Sequence, residues 1–140
     1  LTIMLSPSET VVLALVTSFV LFGCANQNAQ MQRSSYYESN KNLDVNKVSF
    51  VDDMDVLVSN IKTIKEGEFL KLMVEFVNAD NGSNEDFVYQ IEWYDDNGIL
   101  KETTSWKYKR VVGNQKLKIV EMSTVMNIVD YKIIISTKNK

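Results

Sequence analysis

One thiol, Cys24, and no histidine in 140 residues narrow the chemistry open to this chain before any fold is considered. Histidine is the commonest general base and the commonest metal ligand. A single cysteine excludes an intrachain disulfide and any multi-cysteine zinc or iron–sulfur site. Carboxylates, hydroxyls and lysines remain. Glu92 with Asp95 or Asp96 could pose as an acid–base pair, but their strand and turn positions suit surface charge better. No base is nominated for any serine. Asp52, Asp53 and Asp55 form one acidic cluster, and Asp80, Asn84, Glu85 and Asp86 form another around a glycine. Oxygen-rich loops can hold calcium, yet neither cluster has the EF-hand spacing, so solvated turn charge is the reading. The expectation is no metal, no other cofactor and no enzyme activity. With 15 Lys+Arg against 18 Asp+Glu, the net charge of −3 leaves no basic excess to neutralise phosphates. Nucleic acid is therefore not an expected partner.

The aromatic residues offer recognition instead. Trp106 and Tyr108 stand beside Lys107, Lys109 and Arg110. An exposed indole and phenol among cations can stack a sugar or hold a peptide. The bland alternative for Trp106 is a lid over one end of a sandwich. Trp93 sits on the apolar side of an alternating run, which marks it as a core tryptophan. Tyr94, one residue on, points the other way. Trp106, Tyr108, Arg110 and Tyr94 form the candidate binding surface. Asn81-Gly82-Ser83 fits the Asn-glycosylation pattern and reads as turn chemistry.

The elements that must position these residues begin after residue 46. Residues 47–140 switch to a period of two. Leu70, Leu72, Val74 and Phe76 alternate with Lys71 and Glu75; Phe87, Tyr89, Ile91 and Trp93 alternate with Gln90 and Glu92. Leu117 and Ile119, then Tyr131, Ile133 and Ile135, repeat the pattern. Each predicts a half-buried strand with one wet face. Residues 47–51 and 55–64 are weaker candidates, and residues 100–108 read as one strand. Residues 123–130 suit a loop or a helical turn. Gly67, Gly82, Gly98 and Gly113 fall at near-equal spacing, each in a turn-like cluster. That rhythm predicts antiparallel hairpins. The fold class is all-β: a small antiparallel, immunoglobulin-like β-sandwich of about seven strands. No proline falls in this domain, so charge must blunt the sheet edges, with Lys107, Lys109, Arg110, Lys116, Lys118 and Lys132 as candidates.

Upstream, residues 11–22 read VVLALVTSFVLF. The run is too short for a membrane span, which needs about 20 residues. It suits the apolar region of a secretory signal. Leu21-Phe22-Gly23-Cys24 then resembles a bacterial lipobox. In signals of that kind the peptide is cut before the cysteine, whose thiol is acylated. The resemblance implies a lipoprotein signal peptide over residues 1–23 and a lipidated Cys24. Ala25, in place of Asp, resembles the outer-membrane sorting pattern. Two or more acyl chains would anchor stably, where one anchors marginally. Residues 24–46 are Asn-, Gln- and Ser-rich and read as the lipidated cysteine followed by a flexible tether, with a reach of about 25 Å.

Tyr89-Gln90-Ile91-Glu92-Trp93-Tyr94-Asp95-Asp96-Asn97-Gly98, the downstream Ser105-Trp106, Gly113, and the final run from Tyr131 to Ile135 resemble the YcfL-type periplasmic lipoproteins. That family has a lipoprotein signal, a polar tether and a β-sandwich of unknown function, encoded in many cases near factors for peptidoglycan synthase activation. It tends to carry Ala-Pro where this chain has Met122-Ser123-Thr124, a local departure. The resemblance implies a location in the envelope and a fold, and no established activity. The leading expectation is a non-catalytic binding or assembly module. It would be anchored through Cys24 at the outer membrane, facing the periplasm, with another envelope protein or the cell wall as partner. The first alternative is a carbohydrate- or peptidoglycan-binding module using Trp106, Tyr108 and Arg110. The second is a small periplasmic hydrolase.

Overall fold

In the strand Phe69–Asn78 (β3) every second side chain, from Leu70 through Leu72, Val74 and Phe76 to Asn78, is buried. The strand Glu85–Tyr94 (β4) does the same with Phe87, Tyr89, Ile91 and Trp93. These two inward rows face each other and make the centre of an all-β, two-sheet sandwich. The Phe76 ring lies with its centroid 4.8 Å from Phe87 and 6.0 Å from Tyr89. The coordinates are a computed structural model that describes residues 43–80 and 82–137. Leu21, Phe22, Gly23 and Cys24, with the signal and tether readings, lie outside the described residues.

Six further strands complete the sheets: Val48–Phe50 (β1), Val56–Glu66 (β2), Leu100–Thr103 (β5), Lys107–Val111 (β6), Lys116–Met122 (β7) and Asp130–Thr137 (β8). One sheet runs β1-β8-β4, with β5 and β6 both pairing the far side of β4; the other runs β2-β3-β7. The Thr- and Trp-bearing run over residues 100–108 therefore does not make one strand. It makes two, broken at residues 104–106. The weak candidate near residue 55 is the longest strand of all. Pairing is antiparallel except between β1 and β8, which run parallel from Val48 opposite Ile133 to Phe50 opposite Ile135. A single 3-10 turn, Val45–Lys47, precedes β1, and Leu43 packs on the core.

The evenly spaced glycines divide into two kinds of connection. Gly67 (φ 63°) closes the β2–β3 hairpin, and Gly98 (φ 73°) closes β4–β5. In the second hairpin Asp95 N–H donates to the Ile99 carbonyl at 3.0 Å, leaving a three-residue loop whose last member must be left-handed. Glycine takes that conformation without strain. Gly82 and Gly113 lie instead where the chain crosses between sheets. At the Gly113 crossing the left-handed residue is Asn114 (φ 62°). Buried Asn78 braces both crossings, its Nδ2 donating to the carbonyls of Ser83 (2.7 Å) and Val111 (3.3 Å).

Residues 123–129 form a loop that stitches the two sheets together. Ser123 N–H donates to the Leu70 carbonyl of β3 and Asn127 N–H to that of Glu68 in the β2–β3 turn, while Val129 N–H donates to the Tyr94 carbonyl in the other sheet. Ile128 plugs that end of the core at 1% exposure. At the flank, Tyr89 of β4 donates to Glu121 of β7 at 2.5 Å, and Lys107 of β6 donates to the same carboxylate at 2.6 Å. Burial, and then the Glu121 contact, hold the Tyr89 phenol well above the usual tyrosine pKa.

Candidate functional site

Because β4 turns Phe87, Tyr89, Ile91 and Trp93 inward, it must turn Asp86, Val88, Gln90, Glu92 and Tyr94 outward. The pairing register then decides what joins them. Val88 lies opposite Tyr108 and Asp86 opposite Arg110, so both β6 residues share this outward face. Between the pairs Glu92–Thr103 and Tyr89–Lys107, the edge has one residue more than β4. This is a β-bulge at Ser105 and Trp106, opposite Gln90. Thr104 fills the gap in the ladder. Its N–H donates to the Ile91 carbonyl (2.9 Å), and its Oγ1 accepts from Ile91 N–H (3.0 Å). Its carbonyl accepts from Gln90 Nε2 at 2.7 Å.

All four candidate residues are thereby brought to one face of one sheet. Trp106 is 39% exposed and Tyr108 45%, Arg110 is exposed, and Tyr94 is half-buried. Trp106 sits part-way along the edge, not over an end of the sandwich. The charges of the face are engaged with one another. Arg110 grips Asp86 with Nε (2.6 Å) and Nη2 (2.9 Å), and Tyr108 donates to Asp86 at 2.6 Å. Tyr94 donates to Glu92, which pushes the Tyr94 phenol up to about 12. At the Tyr94 end the surface dips into a depression of about 260 Å³ lined by Asn46, Lys47, Tyr94, Asp130, Tyr131 and Lys132. The face offers exposed aromatic and amide area, which suits recognition.

The other chemistry-bearing groups lie away from this face or serve local contacts. Glu92 is taken by Tyr94, while Asp95 Oδ1 accepts from Asn97 N–H (3.0 Å) and Ile99 N–H (2.9 Å) and so serves its own turn. Asp52 accepts from Ser136 Oγ at 2.6 Å and from Thr137 N–H at 3.1 Å at the end of β8. Asp55, Asp86 and Asp80 gather near Glu85, whose carboxyl is raised above its ordinary pKa first by burial and then by those three charges. Among the described residues no group of three His, Cys, Asp or Glu is arranged to hold a metal ion. Lys132 is not an edge residue: it lies on β8, between β1 and β4. Lys107, Lys109 and Arg110 do lie on the edge beside β4, and Lys116 and Lys118 on the β7 edge.

Val88, Gln90 and Thr104 complete the face and were not singled out by residue type. The alternation of β4 marks 88 and 90 as outward; the strand pairing that sets them beside Trp106 and Tyr108 has no local signal.

The profile of a family described as a protein of unknown function, DUF1425, matches residues 41–137. The chain belongs to the DUF1425 family. Two solved structures share the DUF1425 sandwich. A DUF1425 family member from Shewanella sp. pv-4 is 24% identical with a TM-score of 0.55, covering 64% of this chain and 84% of that one. The Campylobacter jejuni protein cj0090 is 17% identical with a TM-score of 0.58, covering 66% of this chain and 99% of that one. The aligned sandwich makes up practically the whole of that solved chain. No curated protein matches.

Proposed function

We propose that this protein is a non-catalytic binding or assembly module of the bacterial cell envelope. In this reading Cys24 carries the lipid anchor, residues 25–46 set the reach, and the outward face of β4, β5 and β6 meets the partner. The observation that carries the binding reading is the convergence of Tyr94, Trp106, Tyr108 and Arg110 on one face. The envelope location is supported by the lipobox-like Leu21-Phe22-Gly23-Cys24 and by the likeness to YcfL-type lipoproteins. Anchoring would raise the local concentration of the face at the membrane, which strengthens a weak contact without adding any.

The test is a crosslinked pulldown from envelopes with wild type and Trp106→Ala. Partners enriched by wild type and lost in the variant support the proposal. No enriched partner counts against it. Palmitate labelling of Cys24→Ala checks the anchor, and label persisting in that variant refutes it. A carbohydrate- or peptidoglycan-binding face is the second reading. It is favoured by the pairing of Asp86 with Arg110, which cancels two of the charges around the exposed aromatic rings. Co-sedimentation with purified peptidoglycan decides it.

A further inference from the structure

The opposite surface of the sandwich, the outward face of β2, β3 and β7, has a different composition. Its cross-strand rows follow from the register. Asn60, Glu75 and Lys118 form one row, then Lys62, Met73 and Val120, then Ile64, Lys71 and Met122. Lys116 lies beside Val77 at one end, and Glu66 beside Phe69 at the other. Val120 is 57% exposed, Met122 41% and Ile64 37%. The face thus sets Lys62, Lys71, Lys116 and Lys118 against Glu66 and Glu75, in a chain with 15 basic and 18 acidic residues. Glu75 is neutralised locally. It takes Lys116 at 3.0 Å, Lys118 at 3.7 Å and the Ser59 hydroxyl at 2.7 Å, and its carboxyl is held below the ordinary glutamate pKa. Lys118 still reaches outward, with its side chain 79% exposed.

We infer that this face lies on a bilayer surface bearing anionic headgroups. Exposed apolar side chains grouped on one surface mark a contact site. Lysines among them add attraction to anionic lipid and repel a second copy of the same face. Apolar tips and ammonium groups share the same rows, Lys62 beside Met73 and Val120, and Lys71 between Ile64 and Met122. A hollow of about 200 Å³ on this face sets Met73 and Val120 beside Lys62, Glu75 and Lys118, a mixture of apolar and charged groups that a membrane interface accepts side by side. Lysine stems lie along apolar surface while the charge stays wet. The arrangement leaves the Trp106 face, on the other sheet, turned away from the lipid. The inference does not depend on acylation of Cys24 or on the Trp106 reading.

The test uses residues 41–137, which lack Cys24, with vesicles of phosphatidylcholine alone or with phosphatidylglycerol. Binding is expected to the anionic vesicles, and to weaken with salt. Lys62→Gln and Lys118→Gln should each lower the partition coefficient about five-fold. Val120→Ser with Met122→Ser should lower it further, while Trp106→Ala should leave it unchanged. Thermal unfolding of each variant confirms that the fold is retained. Equal binding to neutral vesicles, no binding to either, or insensitivity to the lysine variants overturns the inference. Capture of a poly-glutamate peptide without vesicle binding also overturns it and assigns the face to an acidic protein.

Discussion

Tyr89→Phe removes one oxygen from the interior flank of the sandwich. In the folded protein that hydroxyl donates to Glu121, whose side chain is 12% exposed and whose other oxygen holds Lys107 at 2.6 Å. A hydrogen bond to a charged group contributes about 1.5–3 kcal/mol, and a poorly hydrated carboxylate deprived of its donor falls toward the upper part of that range. We expect a loss of about 2 kcal/mol. For a domain of this size that lowers Tm by roughly 8–16 °C. Tyr94→Phe is the control, since it deletes the same atom from a tyrosine–glutamate pair on the outward face. There water replaces the lost donor, and the cost should stay under about 1 kcal/mol. Urea unfolding, followed by the fluorescence of buried Trp93, measures both. A double-mutant cycle with Glu121→Gln isolates the coupling. The Tyr89 phenol has its pKa raised by folding, so its contribution is complete below pH about 10 and is lost as pH rises beyond that. Wild type should therefore lose stability above pH about 10 more steeply than Tyr89→Phe. Equal destabilisation by Tyr89→Phe and Tyr94→Phe would refute the argument that burial gives the flank contact its strength.

Phe76→Ala should cost about 3–5 kcal/mol by opening a cavity against Phe87 and Tyr89, read as a lower urea midpoint at unchanged m. Glu85→Gln should stabilise the fold at pH 7 by roughly a few tenths of a kcal/mol, a small gain because solvent screens the partly exposed site. Its carboxyl pKa is raised, so protonation favours the folded state, and the advantage of the variant should vanish below pH about 4 in a pH series of melts. Gly98→Ala should cost about 1 kcal/mol through backbone strain alone, because an added Cβ meets nothing within 4 Å. A much larger loss would point to a packing role for that turn.

The alternation in β3 and β4 was readable because sheet burial has a period of two, and the residues it sorted inward, Phe76, Phe87 and Trp93 among them, are the core. Residues 55–64 were harder to read because β2 is buried only at its start; from Lys62 to Glu66 every side chain is exposed. The break between β5 and β6 was hidden for another reason. The Thr and Trp content of residues 100–108 suits a strand throughout, and the interruption arises from a register difference against β4. Gly82 and Gly113 look like hairpin glycines locally. They serve as crossings because their flanking strands find partners in different sheets.

Residue types and alternation alone determined that this chain makes a β-sandwich, that Trp93 faces inward and Tyr94 outward, and that histidine and multi-cysteine chemistry are absent. Such properties depend on what a residue is and on its parity within one strand. Tertiary structure decided which strands are neighbours. That choice set Tyr108 beside Val88, gave Asp86 to Arg110, drew Glu121 between Tyr89 and Lys107, and made Lys62, Met73 and Val120 a single row. Strand partners are separated by long stretches of chain, and their pairing minimises the free energy of the whole core, so no local run of residues encodes it.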